Sequence, residues 1–403
     1  MKIIDFKAIK VYLICLSTSL VLFGAAYLFH MKYIAEEKHI KVGYIFVGDE
    51  MTPYTDNFIK AAEHVEDVYG DKIECIYKYN VTEDAVYEPL QELVDADCDY
   101  IITASYGYGP AVKEMAAKYP DIEFCAITCD NANTDTILSN YHNCMGEIYQ
   151  GRYICGVVAG MKLREMIDQG IISPDEAVVG YVAAYPYAEV ISGYTSFFLG
   201  VRSVVPEATM LVKYTNTWSS YSIEKKTAIE LIEEGCVLIS QHSDTNGPAV
   251  ACENSEGDVP VYHVGYNQSM TEIAPTSSLI SCSIDYSLYF EQSIGAVLDG
   301  KKIENTVDAN ITLQDAYAGI DKGWVKILDT NEAIVADGTD EAINQLIKDF
   351  KNGDVHVFQG MYTGTNSFDS ADKIDLGTEY IENQHSSAPT FNYVLDDVIT
   401  VIE

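Results

Sequence analysis

Apolar and polar positions along most of this chain follow one repeating unit. An apolar, β-prone run is followed by a polar-aromatic loop and then by a run with helical spacing. The unit is clearest between Val178 and Ser283. There the runs Val178–Val182, Met210–Tyr214, Cys236–Ser240, Val261–Val264 and Leu279–Ser283 read as strands. Upstream, Val42–Val47, Ile73–Tyr77, Tyr100–Ala104 and Glu123–Ile127 read the same way. Helices are expected over Asn57–Tyr69, Ala85–Val94, Ala111–Lys118, Ile148–Met166 and Tyr286–Leu298, and again over Ala333–Lys351. Asn140–Cys144 reads as a crossing segment, and Ala316–Ile320 as a strand returning to the first half. Beyond Phe358 the pattern turns polar and irregular, except for the apolar run Val394–Val401. Strands alternating with helices at this spacing predict βαβ units and parallel sheets.

The predicted architecture is α/β, with two similar lobes joined at a hinge and parallel sheets flanked by helices. Residues 38–145 form lobe 1, completed by 284–330, and residues 146–283 form lobe 2. Residues 331–403 supply a C-terminal helix and extension that pack on the lobes. In the long helix, Gly151, Gly156, Ala159 and Gly160 suit close packing on a sheet. Ligands of parallel sheets bind beyond the carboxyl ends of the strands, and a ligand between two lobes is enclosed when they close.

The first 37 residues stand apart. Lys2, Lys7 and Lys10 precede an uncharged apolar stretch from Val11 to Phe29. Its length matches the roughly 20 residues that span a bilayer. The lysines place the N-terminus in the cytoplasm and the remainder outside. An uncleaved signal anchor is the expectation, with a cleaved signal peptide as the alternative.

Charge narrows the class of partner. The chain carries 61 acidic and 25 basic residues, a net charge of −36. That excess opposes nucleic acid and anionic membrane surfaces as direct partners. The ten cysteines are scattered, several within apolar runs, and read as buried thiols. Cys125 and Cys129 lack a matching second pair for zinc. Gly107-Tyr108-Gly109-Pro110 lacks the Lys-Ser/Thr of a phosphate loop. No metal or cofactor is therefore expected.

The remaining chemistry gathers at strand ends. Tyr54, Tyr106, Tyr108, Trp218, Tyr266 and Tyr286 offer faces on which flat rings or sugars stack, against the alternative of core packing. Gln241-His242-Ser243-Asp244 follows a buried strand. His242 and Asp244 can bind a ligand, cap the next helix, or act as base and orienting acid. Asp130 and Asn267 lie after strands of opposite lobes, as ligand contacts or turn residues. Asp285 is expected to pair or cap at the hinge, and His263 to be a core histidine. The binding candidates are Tyr54, Asn57, Tyr106, Asp130, Trp218, His242, Asp244, Asn267 and Tyr286. No catalytic residue is assigned.

Taken in order, several segments resemble the basic membrane protein (BMP) family of substrate-binding lipoproteins over about residues 40–365. They include Thr103-Ala104-Ser105-Tyr106-Gly107, the segment from Ala117 to Phe124 and Tyr149-Gln150-Gly151-Arg152-Tyr153. Val179–Ala184, Asn216-Thr217-Trp218, Gln241–Asp244 and Val264-Gly265-Tyr266-Asn267 complete the set. The resemblance implies a type I periplasmic-binding-protein (Venus flytrap) fold feeding an ABC permease, with a purine nucleoside or nucleobase as ligand. It implies no enzyme activity. Nucleoside-binding members hold ribose with a Gly-x-Asp segment and a hinge lysine. This chain has Gly265-Tyr266-Asn267 and Ile284-Asp285-Tyr286 at those places. The alternatives are a sensory ectodomain using the same cleft and, behind it, a nucleoside hydrolase. The latter needs a carboxylate cluster that the sequence does not supply.

Overall fold

A computed structural model describes residues 6–33, 38–384 and 386–403. The chain divides into two units, 1–39 and 40–403. The first contains α1 (Phe6–Tyr33), whose segment Lys10–Tyr27 is long and apolar enough to cross a membrane. Lys2 and the linker residues 34–37, to which the anchor reading extends, lie outside the described residues.

The second unit holds two seven-stranded sheets. It begins with β1 (Ile40–Phe46), α2 (Pro53–Tyr69), β2 (Ile73–Lys78), α3 (Tyr87–Asp95), β3 (Tyr100–Ala104), α4 (Gly109–Lys118), β4 (Glu123–Ile127) and β5 (Tyr141–Gly146). Then come α5 (Ile148–Asp168), β6 (Val178–Ala183), α6 (Ala188–Val204), β7 (Thr209–Tyr214), α7 (Tyr221–Glu233), β8 (Leu238–His242), α8 (Gly247–Glu253) and β9 (Tyr262–Tyr266). The remainder comprises β10 (Ser278–Ile284), α9 (Ser287–Asp299), β11 (Asn310–Thr312), β12 (Asp315–Ala318), β13 (Val325–Ile327) and α10 (Thr339–Asn352). Last are β14 (Thr363–Asn366), β15 (Lys373–Asp375), β16 (Tyr393–Leu395) and β17 (Ile399–Ile402).

The first sheet runs β11-β12-β5-β4-β3-β1-β2 and the second β13-β10-β9-β8-β6-β7-β17. Their central strands are parallel and buried on both faces, which is why they read as continuous apolar runs. The chain passes between the sheets three times: after Gly146, after Ile284 and between β12 and β13. The expectation that 284–330 returns to the first lobe covers β11 and β12 but not β13. That strand pairs antiparallel with β10, setting Val325 against Ile284.

Two further expectations need correction. The glycines of α5 pack mainly against a helix. A Cβ on Gly156 would lie 1.9 Å from the Phe197 carbonyl oxygen of α6, and one on Gly200 would lie 2.2 Å from that of Tyr153. The backbones approach so closely that only glycine fits. Gly151 alone meets strand residues, Val325 and Cys282. The C-terminal region is also more ordered than its polarity suggests. Strands β14, β15 and β16 form a small antiparallel sheet, and β17 joins the edge of the second sheet beside β7.

At the end of the first sheet away from the cleft, His142 is buried between two carboxylates. Its Nε2 lies 2.9 Å from Glu123 and its Nδ1 2.5 Å from Glu304. Burial by itself lowers the imidazole pKa, but the two glutamates override it and raise the value to about 9. The folded value exceeds the unfolded value of about 6.5. The pairing therefore stabilises fully below that pH and is lost as pH rises through 9. We predict that the melting temperature falls between pH 7 and 9.5 and that H142Q removes this part of the decline. Parallel melting curves of the two proteins check it.

Candidate functional site

Between the two lobes lies a cavity of about 270 Å³, close to the lower end of the roughly 300–1,000 Å³ usual for small-molecule sites. Every wall stands at or beyond the carboxyl end of a parallel strand. The first lobe supplies Val47 and Gly48 after β1, Thr52 and Tyr54 at the start of α2, and Asn80 after β2. Ser105 and Tyr106 follow β3, and Thr128 follows β4. The second lobe supplies Glu189 from α6, Trp218 and Ser219 after β7, His242 and Asp244 at and after the end of β8, and Tyr266 ending β9.

Five of the nine predicted residues meet there: Tyr54, Tyr106, Trp218, His242 and Asp244. Tyr54 packs edge-on against Phe58, and its hydroxyl lies 3.3 Å from Thr128 Oγ1. Tyr106 donates to Asp130 Oδ2 at 3.1 Å, and its ring lies 5.8 Å from Tyr187 of the opposite lobe. Trp218 stands edge-on to Tyr185 at 5.3 Å.

The other four lie elsewhere. Asp130 is exposed and reaches the cavity only through Tyr106. Tyr286 is buried behind it, 4.6 Å from the Phe58 ring, where it backs the ring that supports Tyr54. Asn57 donates to Asn267 Oδ1 at 3.2 Å across the lobes. This pair lines a separate, hinge-side cavity with Asp285 and Lys326. Asn267 adopts φ +67°, which suits asparagine, and its N–H donates to the Cys282 carbonyl. Asp285 accepts from the Ser287 N–H at the start of α9 and lies 3.7 Å from Lys326, so it both caps and pairs. His263 is a core histidine between Ser278 and Gln241, and burial depresses its pKa to about 3.

Three local devices shape the walls. Buried Glu224 on α7 accepts from the Ser220 N–H at 2.8 Å and from the N–H and hydroxyl of Thr245 at 3.0 and 2.7 Å. It thereby ties the Trp218 loop to the Asp244 loop. Glu83 does the same in the first lobe, accepting from Ser105 Oγ at 2.6 Å and the Gly107 N–H at 2.8 Å. Thr128 holds φ +66°, a strained state for a β-branched residue and one that clusters at functional sites.

Glu189 is the residue that sequence reading missed. It sits in the first turn of α6, 3.4 Å from His242 Nε2. One turn further on, Gly193 leaves room for the imidazole. A Cβ there would lie 2.4 Å from His242 Nδ1. The i, i+4 spacing that places both residues on one helix face was visible in the sequence. The strand to which that face turns was not. Burial, then Arg152, lowers the His242 pKa. Burial, with Glu224 and Glu189 nearby, raises the Asp244 carboxyl well above the ordinary carboxylate range.

A cavity at the strand ends of two parallel-sheet lobes defines a two-lobed solute-binding protein. The model of the family described as ABC transporter substrate-binding protein, PnrA-like (Bmp) matches residues 41–357, and the chain belongs to this family. Such proteins work outside the cytoplasm and pass a small molecule to a permease. A purine-binding protein of Brucella abortus is 28% identical over 328 residues, covering 81% of this chain and 85% of that protein. A putative ABC transporter glucose-binding protein of Haloferax volcanii is 29% identical over 241 residues, covering 60% and 56%. Among solved structures, an ABC transporter solute-binding protein from Aeropyrum pernix K1 aligns with a TM-score of 0.64 at 13% identity. It covers 78% of this chain and 92% of that one.

Replacing Gly193 by alanine drives a methyl group into His242. We predict a loss of about 1–3 kcal/mol of stability and weaker ligand binding, whereas alanine at exposed Gly257 changes neither. Denaturant melts with binding isotherms check it.

Proposed function

We propose that this protein captures a purine nucleoside or nucleobase between its lobes and delivers it to an ABC permease. The observation that carries the reading is the composition of the cavity. Tyr54, Tyr106 and Trp218 offer aromatic faces, while His242 and Asp244 offer polar edges. Flat rings stack on such faces at little conformational cost. The similarity to a purine-binding protein supports the same class. Asn57, Asp130, Asn267 and Tyr286 act indirectly, by holding the lobes together or backing the aromatic wall. Helix α1 anchors the protein in the membrane, with the binding lobes outside.

Two measurements test this. Isothermal titration with adenine, guanine, hypoxanthine and their nucleosides, with glucose as control, is expected to show saturable binding of purines only. Glucose binding without purine binding would reverse the assignment. The chain has two tryptophans, and Trp324 is buried against Tyr289 away from the cavity. Ligand is therefore expected to change the fluorescence of Trp218, and W218F to abolish the change. W218A should weaken stacking by about 1–3 kcal/mol.

For the anchor, full-length protein should stay in the membrane fraction after alkaline extraction. Release into the soluble fraction with a shortened N-terminus would show cleavage instead.

A further inference from the structure

The cavity has an unbalanced inventory of hydrogen-bonding groups. On the first-lobe side, the hydroxyl protons of Ser105, Tyr106 and Thr128 are already committed. Ser105 donates to Glu83 at 2.6 Å, Tyr106 to Asp130 at 3.1 Å and Thr128 to the Ile127 carbonyl at 2.6 Å. With the Thr128 proton engaged, Tyr54 is left to donate to Thr128 across their 3.3 Å contact. These oxygens therefore turn lone pairs, not protons, toward a ligand. On the second-lobe side the acidic lining residues are Glu189 and Asp244, and burial beside Glu224 and Glu189 favours the protonated form of Asp244. Among the described residues no lysine or arginine lines the cavity. The Arg152 guanidinium lies beneath it, stacked 3.7 Å from the centre of the Tyr266 ring and sealed from solvent.

A cavity that Glu189 lines without a basic counterpart repels an anionic ligand, and a ligand that presents only acceptors leaves this carboxylate and the committed hydroxyl oxygens unpaired. Glu189 is placed to decide the outcome. Among the described residues its carboxylate pairs with no lysine or arginine, and the His242 ring nitrogen lies 3.4 Å away. That contact is long, so lone pairs remain for a ligand. The burial and neighbours that keep His242 short of protons also leave Glu189 without a fixed counter-charge.

We infer that Glu189 is the specificity-determining acceptor of this site and selects flat ligands that present an exocyclic amino donor, namely amino-substituted purines without a phosphate. The inference rests on the proposed purine reading and narrows it.

The test is a titration series on the intact binding protein, with adenine, adenosine, guanosine, inosine, hypoxanthine and adenosine monophosphate as probes. The wild type is expected to bind amino-substituted purines about 10-fold or more tighter than the oxo purines that lack an amino group, the scale of a hydrogen bond to a charged group. It is expected to reject the monophosphate. Glu189→Gln should reduce affinity for the amino purines by a similar factor and change inosine and hypoxanthine little, so that the preference collapses. Hypoxanthine binding as tightly as adenine, an unchanged preference in Glu189→Gln, or the monophosphate binding like adenosine overturns this inference and leaves the purine reading standing. A folded wild type that binds no purine overturns both. The wild-type comparison decides the matter even where the variant fails to fold.

Discussion

The second lobe is organised around one buried cation. Arg152 leaves α5 and lies wholly inside the protein, and among the described residues no carboxylate is hydrogen-bonded to it. Its Nη1 donates to the Gln241 carbonyl at 2.9 Å, and its plane lies over the Tyr266 ring. A desolvated cation on an aromatic face gains about 2 kcal/mol or more, and the hydrogen bond adds to that. The contact joins the helix that enters the lobe to the ends of β8 and β9. Gln241 extends the network. Its amide donates to the Ser243 and Thr245 carbonyls and its oxygen meets His263 Nε2 at 3.1 Å. His242 and Asp244 are thus fixed from below before any ligand arrives.

A second principle runs through the walls. Buried acidic side chains act as acceptors for the backbone of neighbouring loops, with Glu83 serving one lobe and Glu224 the other. Loops held this way present side chains in set directions, which is how binding residues on loops gain the precision of a rigid scaffold. The acidity of the chain therefore has an architectural part beside its effect on solubility.

The parallel-sheet architecture was legible because apolar runs and helical runs alternate at the spacing of βαβ units. The aromatic wall was legible for the same reason, since Tyr54, Tyr106 and Trp218 follow strands. What the pattern could not show was depth. Sequence reading ended β8 at Ser240, whereas pairing with β6 continues to His242, opposite Ala183. Tyr286 and Trp218 are both aromatic residues near strand ends, and only packing places one behind the cavity and the other at its wall. Glu189 was hidden because its role depends on a contact with a strand more than fifty residues away. Strands β14 and β15 were missed because each is three or four residues long and mostly polar, whereas β16 and β17 fall at the apolar run Val394–Val401.

The position of β17 bears on how this molecule comes into being. It pairs in parallel with β7, aligning Ile399 with Met210 and Ile402 with Lys213. A chain that emerges N-terminus first therefore completes nearly the whole second sheet while the outer side of β7 is still bare. An uncovered strand edge is a template for association with other chains. The extension beyond residue 357, outside the stretch shared with the family, carries the strand that closes this edge. Biogenesis thus leaves an adhesive seam open until β17 arrives, and this strand serves as its intramolecular guard.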